Sequence, residues 1–300
     1  MTPSVGVVGL GIMGSAMAAN LMRAGYRVIG YDVLAKRRRA HRLAGGIVAR
    51  SCRDVGGSAG VVICSLPSSE ALRQTAGELV DVARPPRIVI ETSTLPIAAK
   101  EAARHRLAAR GTTLLDCPLS GTGSQARTKD LVVYASGDRR AYRQVAPILH
   151  AVARAHYLVG PFGAGSKMKF VANLLVAVHN VAAAEALVLA MKAGLDPATT
   201  LKVITDGAGT SRMLEVRGPS MVKGDYSKAL MKLEVWRKDM AIIADFAREV
   251  GCRTPLFSAT APIYTAATKA GGSRDTGAVC AVLERMAGMR RRKFRVQRSK

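Results

Sequence analysis

Two stretches of this 300-residue chain hold residue types at spacings that could do chemistry. The first is Gly9-Leu10-Gly11-Ile12-Met13-Gly14, set between the apolar run beginning at Ser4 and the helical pattern SAMAANLMRAGY. Gly9 permits a tight turn, Gly11 lets backbone approach a pyrophosphate, and Gly14 lets the helix pack against the preceding strand. The helix N-terminus then offers N–H groups and partial positive charge to phosphates. Asp32 follows a second strand, Arg27–Tyr31, where a carboxylate accepts hydrogen bonds from ribose hydroxyls. Together these residues specify a dinucleotide site. The second stretch is Gly163–Leu195, a long apolar helical segment. At about 100° per residue, Lys169, Asn173 and Asn180 fall on one line, with Lys167 and Glu185 on the opposite side. An unpaired buried cation is costly, so Lys169 either snorkels to water or lines a polar site.

The elements that position these residues alternate. Strands are expected at Ser4–Gly9, Arg27–Tyr31, Gly60–Ser65, Arg87–Glu91, Thr113–Asp116, Leu131–Ala135 and Ala155–Val159, with helical segments between them. Such alternation implies right-handed crossovers and a mainly parallel sheet, with ligands beyond the carboxyl ends of its strands. Leu66-Pro67-Ser68, Thr92-Ser93-Thr94 and Ser120-Gly121 all fall at strand ends and suggest a lined cleft. After Gly163 only helices are expected: Pro197–Asp206, Ser211–Val216, Met231–Gly251 and Thr260–Lys269. The domains are thus 1–163, a dinucleotide-binding α/β domain, and 164–289, an all-helical domain. Residues 290–300 form a basic tail without apolar periodicity, expected to be disordered.

Composition narrows the class. With 49% apolar and 22% charged residues the chain can bury a large core. Five cysteines without metal-ligand spacing read as reduced core residues, no metal site is expected, and the five histidines show no ligand or triad pattern. No secretory leader is recognisable, which makes the cytoplasm the expected compartment. Phe170–Met191 is long enough to span a membrane, but Asn173, His179, Asn180 and Glu185 interrupt it, so a buried helix is expected and no membrane partner. The net charge of +24, seven of it in the last eleven residues, attracts anions. No zinc-finger, RNP or basic-zipper pattern accompanies it and aromatics are scarce, so nucleic acid is not the expected partner. Asp32 repels a 2′-phosphate and selects NAD, while the following Lys36, Arg37, Arg38 and Arg39 read as a solvated helix face and keep NADP as the alternative.

GLGIMGSAMAANL, DCPLSG, GAGSKMKFVAN and WRKDMAIIADFAREVGCRTP resemble, in order and spacing, the four signatures of the β-hydroxyacid dehydrogenases, relatives of 6-phosphogluconate dehydrogenase. The resemblance covers nearly the whole chain except the tail. It implies a doubly wound Rossmann domain, an all-α domain, and a homodimer or homotetramer built through the long helix. It also implies a small hydroxy acid as substrate. The family's catalytic lysine maps onto Lys169 and its motif asparagine onto Asn173. Its carboxylate-binding Ser-Gly maps onto Ser120 and Gly121, with Thr122 beside them. Thr94 matches a position beside the nicotinamide, and Lys238 matches a lysine near cofactor and substrate. The stretch DGAGTSRMLEVRG resembles the threonate dehydrogenase-like branch. The chain departs from the pattern where Thr122, Gln125 and Lys129 replace glycines and Ala172 replaces an asparagine.

The chemistry of these residues agrees with that mapping. In a hydroxy acid oxidation the protein must place the alcohol carbon by the nicotinamide and manage one proton. Desolvation lowers a lysine pKa toward neutrality, which suits Lys169 for that proton. Asn173 would hold Lys169 or the hydroxyl, Ser120 and Gly121 the carboxylate, and Lys238 would add positive charge. The hydroxyl oxidised would be β to the carboxylate, or α in the threonate-like branch. Two other readings stand beside this one. They are an NADPH-dependent semialdehyde or imine reductase, and a non-catalytic nucleotide- or nucleic-acid-binding protein.

Overall fold

A computed structural model of the chain describes residues 3–289. The expected basic tail, 290–300, lies outside the described residues. The chain divides into two compact units, Met1–Ala172 and Asn173–Lys300.

The first unit is built on six parallel strands: β1 (Ser4–Val8), β2 (Arg27–Tyr31), β3 (Ile47–Val48), β4 (Val61–Cys64), β5 (Ile88–Glu91) and β6 (Thr113–Asp116). Their spatial order is β3-β2-β1-β4-β5-β6, the doubly wound arrangement, with its reversal point between β1 and β4. Helices α1 (Ile12–Arg23), α2 (Ala35–Leu43), α3 (Cys52–Ser58), α4 (Ser69–Val80) and α5 (Ile97–Ala108) supply the crossovers. Strand residues alternate between two apolar layers. Val7, Ile63, Ile90 and Leu115 face one core, and Val8, Val62, Val89 and Leu114 face the other. Burial on both faces explains why the strands read as continuous apolar runs rather than as alternation.

A smaller sheet follows, made of β7 (Leu119–Ser120), β8 (Val132–Ala135) and β9 (Ala155–Leu158). It carries α6 (Gly123–Arg127) and α7 (Arg139–Val152) and is antiparallel between β7 and β8. Then comes α8 (Ala164–Lys192), 29 residues long. Among the described residues it is the one helix long and apolar enough to cross a membrane. Its Asn173 and Asn180 are nonetheless buried and hydrogen-bonded within the protein.

The second unit holds α9 (Pro197–Asp206), α10 (Arg212–Lys223), α11 (Leu233–Glu249), α12 (Pro255–Gly271), a 3-10 turn at Thr276–Ala278 and α13 (Val279–Met286). Two helices are longer than their sequence suggests. Pro255 starts α12 five residues before Thr260, because proline is tolerated in a first turn where no intrahelical N–H is needed. α10 continues through Gly218 and Pro219, and a Cβ at Gly218 would meet Leu201 at 2.4 Å, so glycine there permits close packing on α9. Four cysteines are buried as expected, but Cys252 is exposed beyond the end of α11.

Candidate active site

The glycine-rich turn has the geometry its spacing implies. Gly9 has φ +90°, and a Cβ there would lie 2.1 Å from Ser65 O. A Cβ on Gly14 would lie 1.8 Å from Gly9 O, so helix α1 is packed directly on the turn. Gly11 differs, since a Cβ there would meet nothing nearer than the Arg37 guanidinium at 3.8 Å. The space beside Gly11 is therefore open to a ligand. α1 also opens without a side-chain cap and without an acidic residue in its first turn, whereas α3 and α4 are capped by Ser51 and Ser68. Uncapped N–H groups at this position, with Leu10, Ile12 and Met13 around them, fit an anionic phosphate.

Asp32 is buried at the end of β2. Its Oδ2 accepts from Leu10 N–H at 2.8 Å and its Oδ1 from Leu34 N–H at 2.9 Å, so the carboxylate fixes the glycine turn as well as facing it. The basic face of α2 is solvated as expected at Lys36, Arg37 and Arg39, with Arg38 half-buried, and two of its guanidinium groups also bond to the end of β2. Arg37 pairs with Asp32 Oδ2 at 3.2 Å, and Arg38 donates to the Asp32 and Val33 carbonyls while lying over the Tyr31 ring. Two carbonyls and a carboxylate at one strand end thus hold these guanidinium groups at the surface beside Asp32.

The turns after the next strands are tied to one another. Leu66 N–H, preceding Pro67, donates to Ser93 Oγ at 2.7 Å. That bond sets the turn after β4 against Ser93-Thr94 after β5. Ser120 ends β7, and Gly121 has φ +134°, where a Cβ would meet Leu131 at 2.6 Å; only glycine fits. Thr122 has a local structural duty. It caps α6 in a reciprocal capping box with Gln125, whose Oε1 accepts from Thr122 N–H at 3.0 Å. The pattern Thr-x-x-Gln could have revealed this from the sequence. The third replaced glycine, Lys129, stands at φ +63°, the left-handed region that glycine favours.

Lys169 is half-buried on the second turn of α8. In the second unit Asn173 is buried and its Nδ2 donates to Asp239 Oδ2 at 3.2 Å. Lys238 lies 3.4 Å from Asp239 Oδ1. Asp239, which sequence reasoning missed, thus joins two residues that it had singled out. Asn180 has a different role, since its Nδ2 donates to Tyr264 Oη at 3.0 Å and to Thr276 O at 2.9 Å. Asn180 therefore serves as an interhelical donor, while its buried Oδ1 has no hydrogen-bond partner among the described residues. Trp236 is buried against Tyr264. Among the described residues no group of acidic, histidine or cysteine side chains could hold a metal ion. A cavity of about 1020 Å³ lies between α11 and α12 and is lined by apolar groups such as Met240, Phe257 and Ala261; none of the predicted site residues lines it.

Comparison with known proteins fits this arrangement. Residues 4–160 match the NAD-binding domain of 6-phosphogluconate dehydrogenase. Residues 163–283 match the NAD-binding domain of NADP-dependent 3-hydroxyisobutyrate dehydrogenase. The L-threonate dehydrogenase of Cupriavidus necator is 35% identical, over 93% of this chain and 95% of its own. The crystal structure of 3-hydroxyisobutyrate dehydrogenase from Salmonella typhimurium superposes with a TM-score of 0.83 at 32% identity, covering 93% of this chain and 99% of that one. The Mycobacterium tuberculosis 3-hydroxyisobutyrate dehydrogenase, solved with L-serine, gives a TM-score of 0.86 at 30% identity over 94% and 99% of the two chains. With the doubly wound sheet and the glycine turn, these similarities mean that the chain belongs to the 3-hydroxyisobutyrate dehydrogenase family of NAD(P)-binding oxidoreductases that act on CH–OH groups.

Proposed function

We propose that this hydroxyacid dehydrogenase oxidises a small hydroxy acid of the threonate type, with NAD as acceptor and Lys169 as general base. The observation that carries the reading is the open space at Gly11 beside an uncapped helix start, with Asp32 buried next to it. The choice of threonate is supported by the 35% identity to a threonate dehydrogenase along 93% of the chain.

The chain's residues would divide the work as follows. Gly9 to Gly14 cradle the pyrophosphate, Asp32 accepts from the ribose, and Leu66, Pro67 and Thr94 border the nicotinamide half. NAD, when bound, supplies the hydride acceptor. Ser120 Oγ and Gly121 N–H hold the carboxylate, so the reacting carbon is fixed before chemistry begins. Lys169 takes the hydroxyl proton as the carbon loses hydride, and returns it to the carbonyl oxygen in the reverse direction. Asn173, oriented by Asp239, holds the hydroxyl or the lysine, and Lys238 adds positive charge. Thr122, engaged in capping α6, acts only by holding the Ser120-Gly121 turn.

Self-association as a homodimer or homotetramer belongs to the same proposal. Val171, Leu175 and Leu189 are 54, 48 and 70% exposed along α8, an apolar stripe that a second copy would cover.

The test is reduction of NAD and NADP with threonate, erythronate, glycerate and 3-hydroxyisobutyrate. Turnover of threonate with NAD is expected. Silence with all four acids, while NAD still binds, would contradict the substrate class.

A further inference from the structure

Two apolar strands, IVIE and TLLD, each end in a carboxylate, and the Ala-rich helix α5 carries one lysine on its buried side. These three charges meet. Glu91, Lys100 and Asp116 are each 0% exposed. Lys100 Nζ donates to Ser93 O and to Asp116 Oδ1, both at 2.7 Å, and lies 2.6 Å from Glu91 Oε2 in an ion contact whose angle falls outside hydrogen-bond geometry. Burial opposes the lysine's charge, but Glu91 and Asp116 outweigh it and hold its pKa above the usual value. Lys100 is therefore a fixed cation, sealed from solvent, and not a second base.

The cluster binds backbone on every side. Glu91 Oε1 accepts from Ser93 N–H at 2.9 Å, and Ser93 Oγ accepts from Leu66 N–H. Asp116 Oδ1 accepts from Ser166 Oγ at 2.9 Å and its Oδ2 from Ser166 N–H at 2.8 Å, while Ser136 Oγ donates to the same oxygen at 3.2 Å. Four acceptor sites on one carboxylate are thus filled. Ser166 sits in the first turn of α8, three residues before Lys169. Gly165 brings that turn so close that a Cβ would lie 2.3 Å from Tyr134 O and 2.7 Å from Asp116 O. Burying such ions is a poor route to stability, because well-packed apolar groups of similar volume often do as well. What the cluster supplies is a fixed geometry among segments that sequence separates widely.

We propose that Lys100, Glu91 and Asp116 are positioning residues, which lock the turns after β4, β5 and β6 to the first turn of α8 and so set where Lys169 stands relative to Thr94 and Ser120. The proposal rests on the function proposed above, in which Lys169 moves the proton. A misplacement of order 1 Å at a reacting group can cost about a hundredfold in rate. The cluster would therefore act on turnover more than on binding.

The experiment compares the full-length wild type with S166A, D116N and K169A. S166A removes one hydroxyl and keeps the Ser166 N–H bond, so it carries the test if D116N does not fold. With threonate and NAD, kcat is expected to fall about tenfold in S166A and about a hundredfold in D116N, with KM for NAD within about twofold of wild type. Hydrogen exchange across 164–172 should quicken at least about fivefold in S166A, with β4 to β6 unchanged. Wild-type kcat in S166A overturns the proposal, as does unchanged exchange, or a loss that appears in NAD binding and not in kcat. Turnover retained in K169A would instead refute the proton role of Lys169, and the exchange measurement would still decide whether the cluster anchors α8.

Discussion

Asn173 Nδ2 donates to Asp239 Oδ2 at 3.2 Å, and the same carboxylate lies 3.4 Å from Lys238 Nζ. Asp239 is 5% exposed, so removing it takes the acceptor from the buried Asn173 amide and the nearby carboxylate from the partly exposed Lys238. The substitution D239A is expected to destabilise the protein by about 1–3 kcal/mol in urea unfolding, the range for a buried polar group left unpaired. D239N should cost less stability yet still lower kcat, because an amide cannot hold Asn173 and Lys238 in the same way. Equal kcat in D239N and wild type would remove Asp239 from the account.

Cofactor choice depends on Asp32 and the guanidinium groups attached to it. Asp32→Ser removes the negative charge while Arg37 and Arg38 remain at the strand end. The ratio of kcat/KM for NAD over NADP is expected to fall at least about tenfold, which corresponds to about 1.4 kcal/mol. An unchanged ratio would mean that the carboxylate supports the turn through Leu10 but does not select the cofactor.

Two of the three glycines in this motif, Gly11 and Gly14, should fail differently. A Cβ at position 14 would lie 1.8 Å from Gly9 O, so G14A is expected to be poorly folded in circular dichroism and thermal melts. A Cβ at position 11 has open space, so G11A should melt near wild type while its NAD affinity falls severalfold in calorimetry. Tight NAD binding by G11A would place the pyrophosphate elsewhere.

His41 gives a pH signature in the fold itself. It is 5% exposed, and burial pushes its pKa below the usual value although the neighbouring Val28 and Ile47 backbone favours the charged ring. An unfolded histidine titrates near about 6.5, so above that pH both states are neutral and His41 contributes nothing to the pH dependence. Below it the unfolded chain takes up a proton that the folded chain refuses, and stability falls. The melting temperature should drop between pH 7.5 and 5.5, and H41F, which keeps a ring between Gly30 and Gly46, should show a shallower drop. Identical slopes would exclude His41 as the source.

Much of the first unit is legible in the sequence because its signals are local. β2 and β6 have the expected bounds, and the other expected strands are shorter by one residue at one end or, for β4, at both, since apolar runs closed by Gly, Pro and Ser mark them directly. The glycine turn and Asp32 follow from spacing alone. β3 and β7, at two residues each, are too short to show any period. The ionic cluster is illegible for another reason. Glu91, Lys100, Asp116 and Ser166 come from four elements, and only the strand order brings them together. Asp239 and Asn173 are likewise 66 residues apart. Even so, a carboxylate closing an otherwise apolar strand was a visible sign at both Glu91 and Asp116.

The most direct test of the central claim is turnover of threonate with NAD by K169A alongside NAD binding by the same variant. Loss of the proton carrier should lower kcat by about a hundredfold or more, the range for general acid–base catalysis, while NAD affinity stays within about twofold. Turnover near the wild-type rate would contradict the assignment of Lys169 as the base.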